Sequence, residues 1–149
     1  MADISRRFTL WEAERLLPQI RDWMREAVSL KSQYDEAEQA MRSLTERIMV
    51  MGGIVVDSER AAEDKARRDS AGQHLRSILE SIQESGCLVK DLDTGLVDFP
   101  TLFHGEEVYL CWKMDEPGIQ FWHGVHEGFA GRKAIDQDFL DHHESGQAN

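Results

Sequence analysis

The chain has few cysteines, few prolines and no long hydrophobic run. It contains two cysteines, Cys87 and Cys111, and three prolines among 149 residues. Two cysteines are too few for a disulfide framework, so we expect free thiols in a reducing cytoplasm. The longest apolar run, Ile48–Val56, is broken by two glycines and is far shorter than the ~20 residues needed to span a bilayer. The first residues lack the apolar core of a signal peptide, which also favours a cytoplasmic protein without a membrane segment.

Basic residues are scarce, above all late in the chain. The net charge of −11 divides into −3 for residues 1–85 (13 Lys and Arg against 16 Asp and Glu) and −8 for residues 86–149 (4 against 12). A partner such as nucleic acid or an anionic membrane requires Lys and Arg to neutralise phosphates, so both classes are disfavoured. The second region also holds five of the six histidines. Composition therefore predicts two regions, residues 1–85 and 86–149, of which the second is acidic and rich in histidine.

Apolar residues recur with a three–four spacing through the first region, which predicts two long antiparallel helices. The first is expected near residues 10–51, with Thr9 and Glu12 as a capping box at its start, and the second near residues 58–85. The predicted heptad positions of the first helix are Ala13, Leu16, Ile20, Trp23, Ala27, Leu30, Tyr34, Ala37, Met41, Leu44, Ile48 and Met51. At 1.5 Å per residue the helices would be ~63 and ~42 Å long. The start of the first helix therefore needs cover from residues 86–149 or from a second copy.

Residues 86–149 alternate between short extended segments and turn residues. Two β-hairpins are expected, Cys87–Asp91 with Leu96–Pro100 and Glu107–Lys113 with Ile119–His123. The segment Gly124–Arg132 is expected to form a glycine-shaped loop. The predicted fold class is α+β: a long antiparallel helical hairpin, coiled-coil-like, with a small antiparallel β-sheet module at its base and integrated with the start of the first helix.

Cys111, His123 and His126 are candidate ligands for a transition metal, because thiolate and imidazole suit zinc and its neighbours. Glu127 or Cys87 would supply a further ligand. No Cys-x-x-Cys pair fixes two ligands in this sequence. The alternative remains a packed cysteine with histidines that cap or bond to the backbone, so metal and cofactor stay undetermined.

Asp98, Glu116, His123 and Arg132 form a second candidate set, a polar pocket between tryptophans. Arg132 is one of four cations in an acidic region. It would act as a fork for a carboxylate or phosphate ligand, and His123 would carry a proton near neutral pH. The alternative is an ion pair between Arg132 and a carboxylate that ties the loop to the sheet.

The predicted hairpin tip, Ile48–Val56, is unusually apolar. Hairpin tips are normally polar, and contiguous apolar surface at the end of an element marks a contact. We expect this tip to fold back on itself or to be covered in a homodimer; the alternative is contact with a different protein partner.

Many short motifs together resemble the bacterial family catalogued as domain of unknown function 2203. They include Phe8-Thr9-Leu10, Leu16-Leu17-Pro18, Lys90-Asp91-Leu92, Gly95-Leu96-Val97-Asp98-Phe99-Pro100, Leu110-Cys111-Trp112, Glu116, Trp122-His123, Gly128 and Gly131-Arg132. The resemblance extends from about Phe8 to Arg132. It implies a single integrated unit and carries no activity or ligand to this chain.

The leading functional hypothesis is a non-catalytic interaction or structural protein that forms a homo-oligomer. It rests on the unbroken heptad, the apolar tip and the lack of a catalytic motif in the sequence. The alternative is a small-molecule or metal-binding protein that uses the region of Asp98, His123 and Arg132. An enzyme is one form of this alternative. Metal analysis and a ligand screen separate the two.

Overall fold

The computed structural model of the chain describes residues 6–50 and 58–143. Its fold is α+β, as the sequence predicts, with a helical hairpin and one five-stranded antiparallel sheet. In chain order the elements are α1 (Leu10–Val50), α2 (Ser58–Glu84), β1 (Leu88–Asp91), β2 (Leu96–Phe103), β3 (Glu106–Lys113), β4 (Phe121–Gly124), a 3₁₀ turn (Phe129–Gly131), β5 (Lys133–Ala134) and α3 (Gln137–His142). Among the described helices none is both long and apolar enough to cross a membrane.

The N-terminus of α1 is capped twice. Glu12 N–H donates to Thr9 Oγ1 at 3.0 Å, and Thr9 N–H donates to Glu12 Oε1 at 2.9 Å, so the predicted capping box is confirmed. Leu10 N–H donates to Nε2 of His143 at 3.2 Å. A histidine more than a hundred residues away thus satisfies one of the amide groups that a helix start leaves without an internal partner.

One compact unit, Glu26–Ile78, contains the rest of α1 and most of α2. Two contacts show that the helices are antiparallel: Glu26 bonds to His74, and Glu38 farther along α1 bonds to Arg68 earlier on α2, each at 3.0 Å. Residues 51–56 of the predicted tip lie outside the described residues. Of the described end of α1, Met49 and Val50 are 77% and 86% exposed.

The other unit, Met1–Arg25 with Leu79–Asn149, contains the sheet. Its strands are in chain order, β1-β2-β3-β4-β5, and every pair is antiparallel. One face of the sheet is apolar and is covered by the start of the chain. There Phe8 packs edge-to-face on Phe99, with centroids 5.5 Å apart, and Arg21 lies over Trp112. We call this the apolar face; its buried residues include Val97, Phe99, Val108, Leu110 and Trp112, with Thr101 as a buried polar residue among them.

The buried stripe at the start of α1 differs from the predicted one. The structure buries Leu17 and Met24, whereas the predicted Leu16 and Trp23 are half-exposed. Both choices have the same three–four period, so the pattern alone does not select between them. Trp11, which we expected to be covered, is 65% exposed.

Candidate functional site

Three neighbouring strands bring a carboxylate, a thiol and an imidazole together. Asp98 of β2 pairs with Cys111 of β3, and His123 of β4 pairs with Tyr109, two residues before Cys111. Because side chains alternate along a strand, these residues share the face opposite the apolar face. One ligand atom from each of Asp98, Cys111 and His123 lies within 4.8 Å of the other two. We call these three residues the buried polar cluster, since none is more than 3% exposed.

The hydrogen bonds of His123 define its tautomer. Nδ1 lies 2.7 Å from the carbonyl oxygen of Gly124. A carbonyl oxygen only accepts, so Nδ1 carries a hydrogen and donates it. Nε2 lies 3.0 Å from Oδ2 of Asp98. A hydrogen bond at that distance requires one proton between the two atoms, on either the imidazole or the carboxyl group.

The Asp98 carboxyl group is only half satisfied. Its Oδ2 bonds to His123, whereas its Oδ1 is buried without a partner at full hydrogen-bond geometry among the described residues, and the Cys111 thiol is a further donor beside the carboxyl group. Burial raises the pKa of Asp98, while a cationic His123 beside it acts in the opposite direction. A buried polar atom without a well-formed hydrogen bond costs ~1–3 kcal/mol.

The Cys111 thiol is held in its protonated form. Burial raises its pKa to about 12, and the nearby Asp98 carboxylate adds to the effect. A thiol with such a pKa is a poor nucleophile at neutral pH. In a Cys–His–Asp catalytic triad one ring nitrogen of the histidine bonds to the thiol and the other to the carboxylate. Here Nε2 of His123 bonds to the Asp98 carboxylate, but Nδ1 bonds to the backbone carbonyl of Gly124 and not to the Cys111 thiol. The arrangement therefore differs from such a triad.

Arg132 lies beside the cluster and is already paired. Its NH2 group donates to Glu116 Oε1 at 2.7 Å and to the backbone oxygen of Cys111 at 3.2 Å. Its guanidinium is sandwiched between the rings of Phe121 and Phe129, 4.1 and 4.7 Å from the centroids. These contacts tie the loop after β4 to the sheet.

The remaining predicted site residues lie elsewhere. His126 is exposed and belongs to neither of the groups of potential metal ligands found among the described residues. Glu127 bonds to Lys133 and to the Gly124 N–H. Cys87 is buried just before β1, outside the cluster.

The sequence reasoning missed Tyr109. Its ring meets the ring of His123 edge-on, with centroids 5.6 Å apart, and Nζ of Lys90 lies over the Tyr109 ring, 5.0 Å from its centroid. The available signal was strand alternation, which places Tyr109 and Cys111 on the same face. Tyr109 is only 8% exposed and helps to cover the cluster.

Comparison with known protein families identifies one match. Over residues 6–135 the chain matches the family described as "Uncharacterized conserved protein (DUF2203)", so it belongs to that family. The matched region includes the whole buried polar cluster and Arg132, whereas α3 lies beyond it. Searches of curated proteins and of solved structures give no match.

Proposed function

We propose that this chain is a metal-binding protein that holds a divalent transition-metal ion, zinc in the first place, at Asp98, Cys111 and His123. The observation that carries the proposal is the meeting of three different ligand types in a buried site where one oxygen, Asp98 Oδ1, has no partner at full hydrogen-bond geometry among the described residues. Nitrogen, sulfur and carboxylate oxygen are the three donor types that zinc takes in proteins.

The hydrogen bond of His123 to the backbone supports this role. Histidines that bind metals almost always donate their other ring N–H to a carbonyl or carboxylate, which orients the ring. Here Nδ1–H donates to Gly124 in that manner, and the lone pair of Nε2 becomes the ligand once the shared proton leaves.

Charge balance supports the same exchange. Without metal, the cluster holds one proton shared by Asp98 and His123 and one on the Cys111 thiol, for a net charge of zero. A divalent ion that replaces both protons leaves two anionic ligands, one neutral imidazole and again no net charge. Burial penalises uncompensated charge heavily, so this neutral exchange is compatible with the buried position.

The distances require only small movements. In a tetrahedral zinc site with bonds of ~2.0–2.3 Å, neighbouring ligand atoms lie ~3.3–3.6 Å apart. The cluster atoms lie within 4.8 Å of one another. Three protein residues leave a fourth position, which either Asp98 Oδ1 or a water molecule would fill.

Cobalt titration of tag-free protein tests the proposal. The thiolate-to-cobalt absorption band should saturate at one Co²⁺ per chain, and Zn²⁺ should displace that ion from the cluster. In weakly buffered solution, binding of Zn²⁺ should release two protons, because one leaves the thiol and one leaves the Asp98–His123 pair.

Cys87 provides a matched control, since it is also a buried free thiol with a pKa raised to about 12. Cys111→Ser should abolish the cobalt band, and Cys87→Ser should retain it. A band that persists in Cys111→Ser, or no binding by folded wild type, refutes the proposal.

Homo-oligomer formation is a second candidate, favoured by the exposed Met49 and Val50 next to the predicted tip. Exposed adjacent apolar side chains are a common feature of protein contacts. A homodimer in the reducing cytoplasm is consistent with two free, buried cysteines. Met49→Glu/Val50→Glu should halve the mass measured by light scattering. An unchanged mass, or a monomeric wild type, counts against this candidate.

A further inference from the structure

A second group of potential metal ligands lies on the surface, away from the buried polar cluster. It consists of His104, Asp138 and His142, all of them exposed, and one ligand atom of each lies within 4.8 Å of the other two. His104 occupies the two-residue turn between β2 and β3, and the other two lie on α3. The group therefore joins two segments that are distant in sequence.

The backbone at His104 is unusual for a residue with a side chain. Its φ is +53°, and that of Gly105 is +79°. Positive φ at both central residues is what the type I′ hairpin turn requires, and Asn-Gly is the preferred sequence there. An outlier of this kind supports a hypothesis of function. The position holds a histidine in place of the favoured asparagine, and the histidine supplies an imidazole.

Packing holds α3 in place next to this turn. Phe139 is fully buried, and its ring stacks on Phe103 at 4.9 Å. The backbone adds a bond, because His104 N–H donates to the carbonyl oxygen of His142 at 3.0 Å. The positions of the ligands thus follow from the fold and not from chance contacts of free side chains.

The side chains of the group contact one another. The rings of His104 and His142 stack with centroids 4.4 Å apart. Asp138 and His142 are four residues apart on α3 and therefore share one helix face. Nδ1 of His142 donates to the Asp138 carbonyl oxygen at 3.0 Å and lies 3.1 Å from its Oδ1. This leaves the Nε2 lone pair free to coordinate an ion.

We propose that His104, Asp138 and His142 form a second, solvent-accessible site for a transition-metal ion such as Ni²⁺, Cu²⁺ or Zn²⁺. Imidazole nitrogen is a preferred ligand of these ions, and the −8 charge of residues 86–149 favours a cation. Water completes the coordination, and the ion links α3 to the β2–β3 turn. The inference does not depend on the proposed function, since it uses different residues and no thiol.

Calorimetric titration of tag-free protein with Ni²⁺ tests the site. His104→Asn is the informative variant, because asparagine keeps the preference for positive φ at the turn and removes the imidazole. We expect its affinity for Ni²⁺ to fall at least ~10-fold, since loss even of a supporting partner costs ~10–100-fold. His142→Gln should weaken binding similarly. The paramagnetic resonance spectrum of bound Cu²⁺ should report two nitrogen ligands in wild type and one in either variant.

His126→Asn is the matched control, since His126 is an exposed histidine outside the group, and it should leave the isotherm unchanged. Melting curves in EDTA verify that each variant is folded. Unchanged Ni²⁺ affinity in folded His104→Asn or folded His142→Gln overturns the proposal. Loss of binding in Cys111→Ser with retention in His104→Asn also overturns it, because the ion would then occupy the buried polar cluster.

Discussion

The two faces of the sheet are both buried, yet they bury opposite kinds of side chain. The apolar face, represented by Phe99, Leu110 and Trp112, packs against the start of the chain. The other face buries Asp98 and His123 at 0% and 3% exposure, next to Tyr109, whose ring contacts that of His123. Strands β2, β3 and β4 supply both faces, because successive side chains along each strand point to opposite sides of the sheet.

The two faces differ in how much their side chains contribute to the stability of the fold. Burial of apolar surface contributes about 25 cal/mol per Å². A buried ion pair contributes little net stability, because desolvation offsets the attraction between the charges. Stability alone would therefore favour apolar residues on both faces, so the buried polar cluster adds little to the stability of the fold.

The largest expected effect concerns the apolar face. Trp112→Ala should lower the free energy of unfolding by ~3–5 kcal/mol, as is usual for a fully buried tryptophan. Trp11→Ala, at a 65% exposed site, should change it by less than ~1 kcal/mol. Urea denaturation measures both values. Similar losses in the two variants would mean that the apolar face is not the main core.

A smaller effect is expected when the polar face is made apolar. Asp98→Val alone should cost ~2–3 kcal/mol, because it leaves His123 Nε2 without its partner. In the triple variant Asp98→Val/Cys111→Ala/His123→Leu, measured in EDTA, stability should return to within ~1 kcal/mol of wild type, while cobalt binding is lost. If the triple variant is less stable than Asp98→Val, the cluster stabilises the fold by itself, and the contrast between the faces is weaker than we infer.

The smallest effect is the pH dependence of stability that comes from Cys87, a buried thiol outside the buried polar cluster. Burial raises the pKa of Cys87 from 9.0 to about 12, so the folded chain keeps this proton where the unfolded chain loses it. The stabilisation is complete below pH ~9 and is lost as the pH rises toward ~12. Between pH 8 and pH 10 wild type should lose ~1 kcal/mol more than Cys87→Ser. Equal losses in urea denaturation would contradict the raised pKa.

Local signals were the part of the fold that the sequence predicted well. The capping box of Thr9 and Glu12 and the β3–β4 hairpin depend on neighbouring residues, and both are present. The hairpin between β2 and β3 was missed, because His104-Gly105 is not one of the usual turn pairs. The two-residue strand β5 is too short to leave a periodic pattern.

The site depends on register, which sequence does not specify directly. Asp98 with His123, and Glu116 with Arg132, were grouped in advance, and the structure places each pair in contact. The meeting of Asp98 with Cys111 follows from the β2–β3 pairing, and a shift of one residue would turn these side chains to the other face. His126 was grouped with His123 by spacing alone, but β4 ends at Gly124, and the turn that follows leads His126 away.

The bond from the Leu10 amide to His143 has a practical meaning for the limits of the domain. The family match ends at residue 135, yet Phe139 is buried and His143 caps α1. A fragment that ends at residue 135 would keep strands β1 to β5 but lose the hydrogen bond between His143 and the start of α1. The packed unit that contains the sheet thus extends beyond the segment that the family match covers.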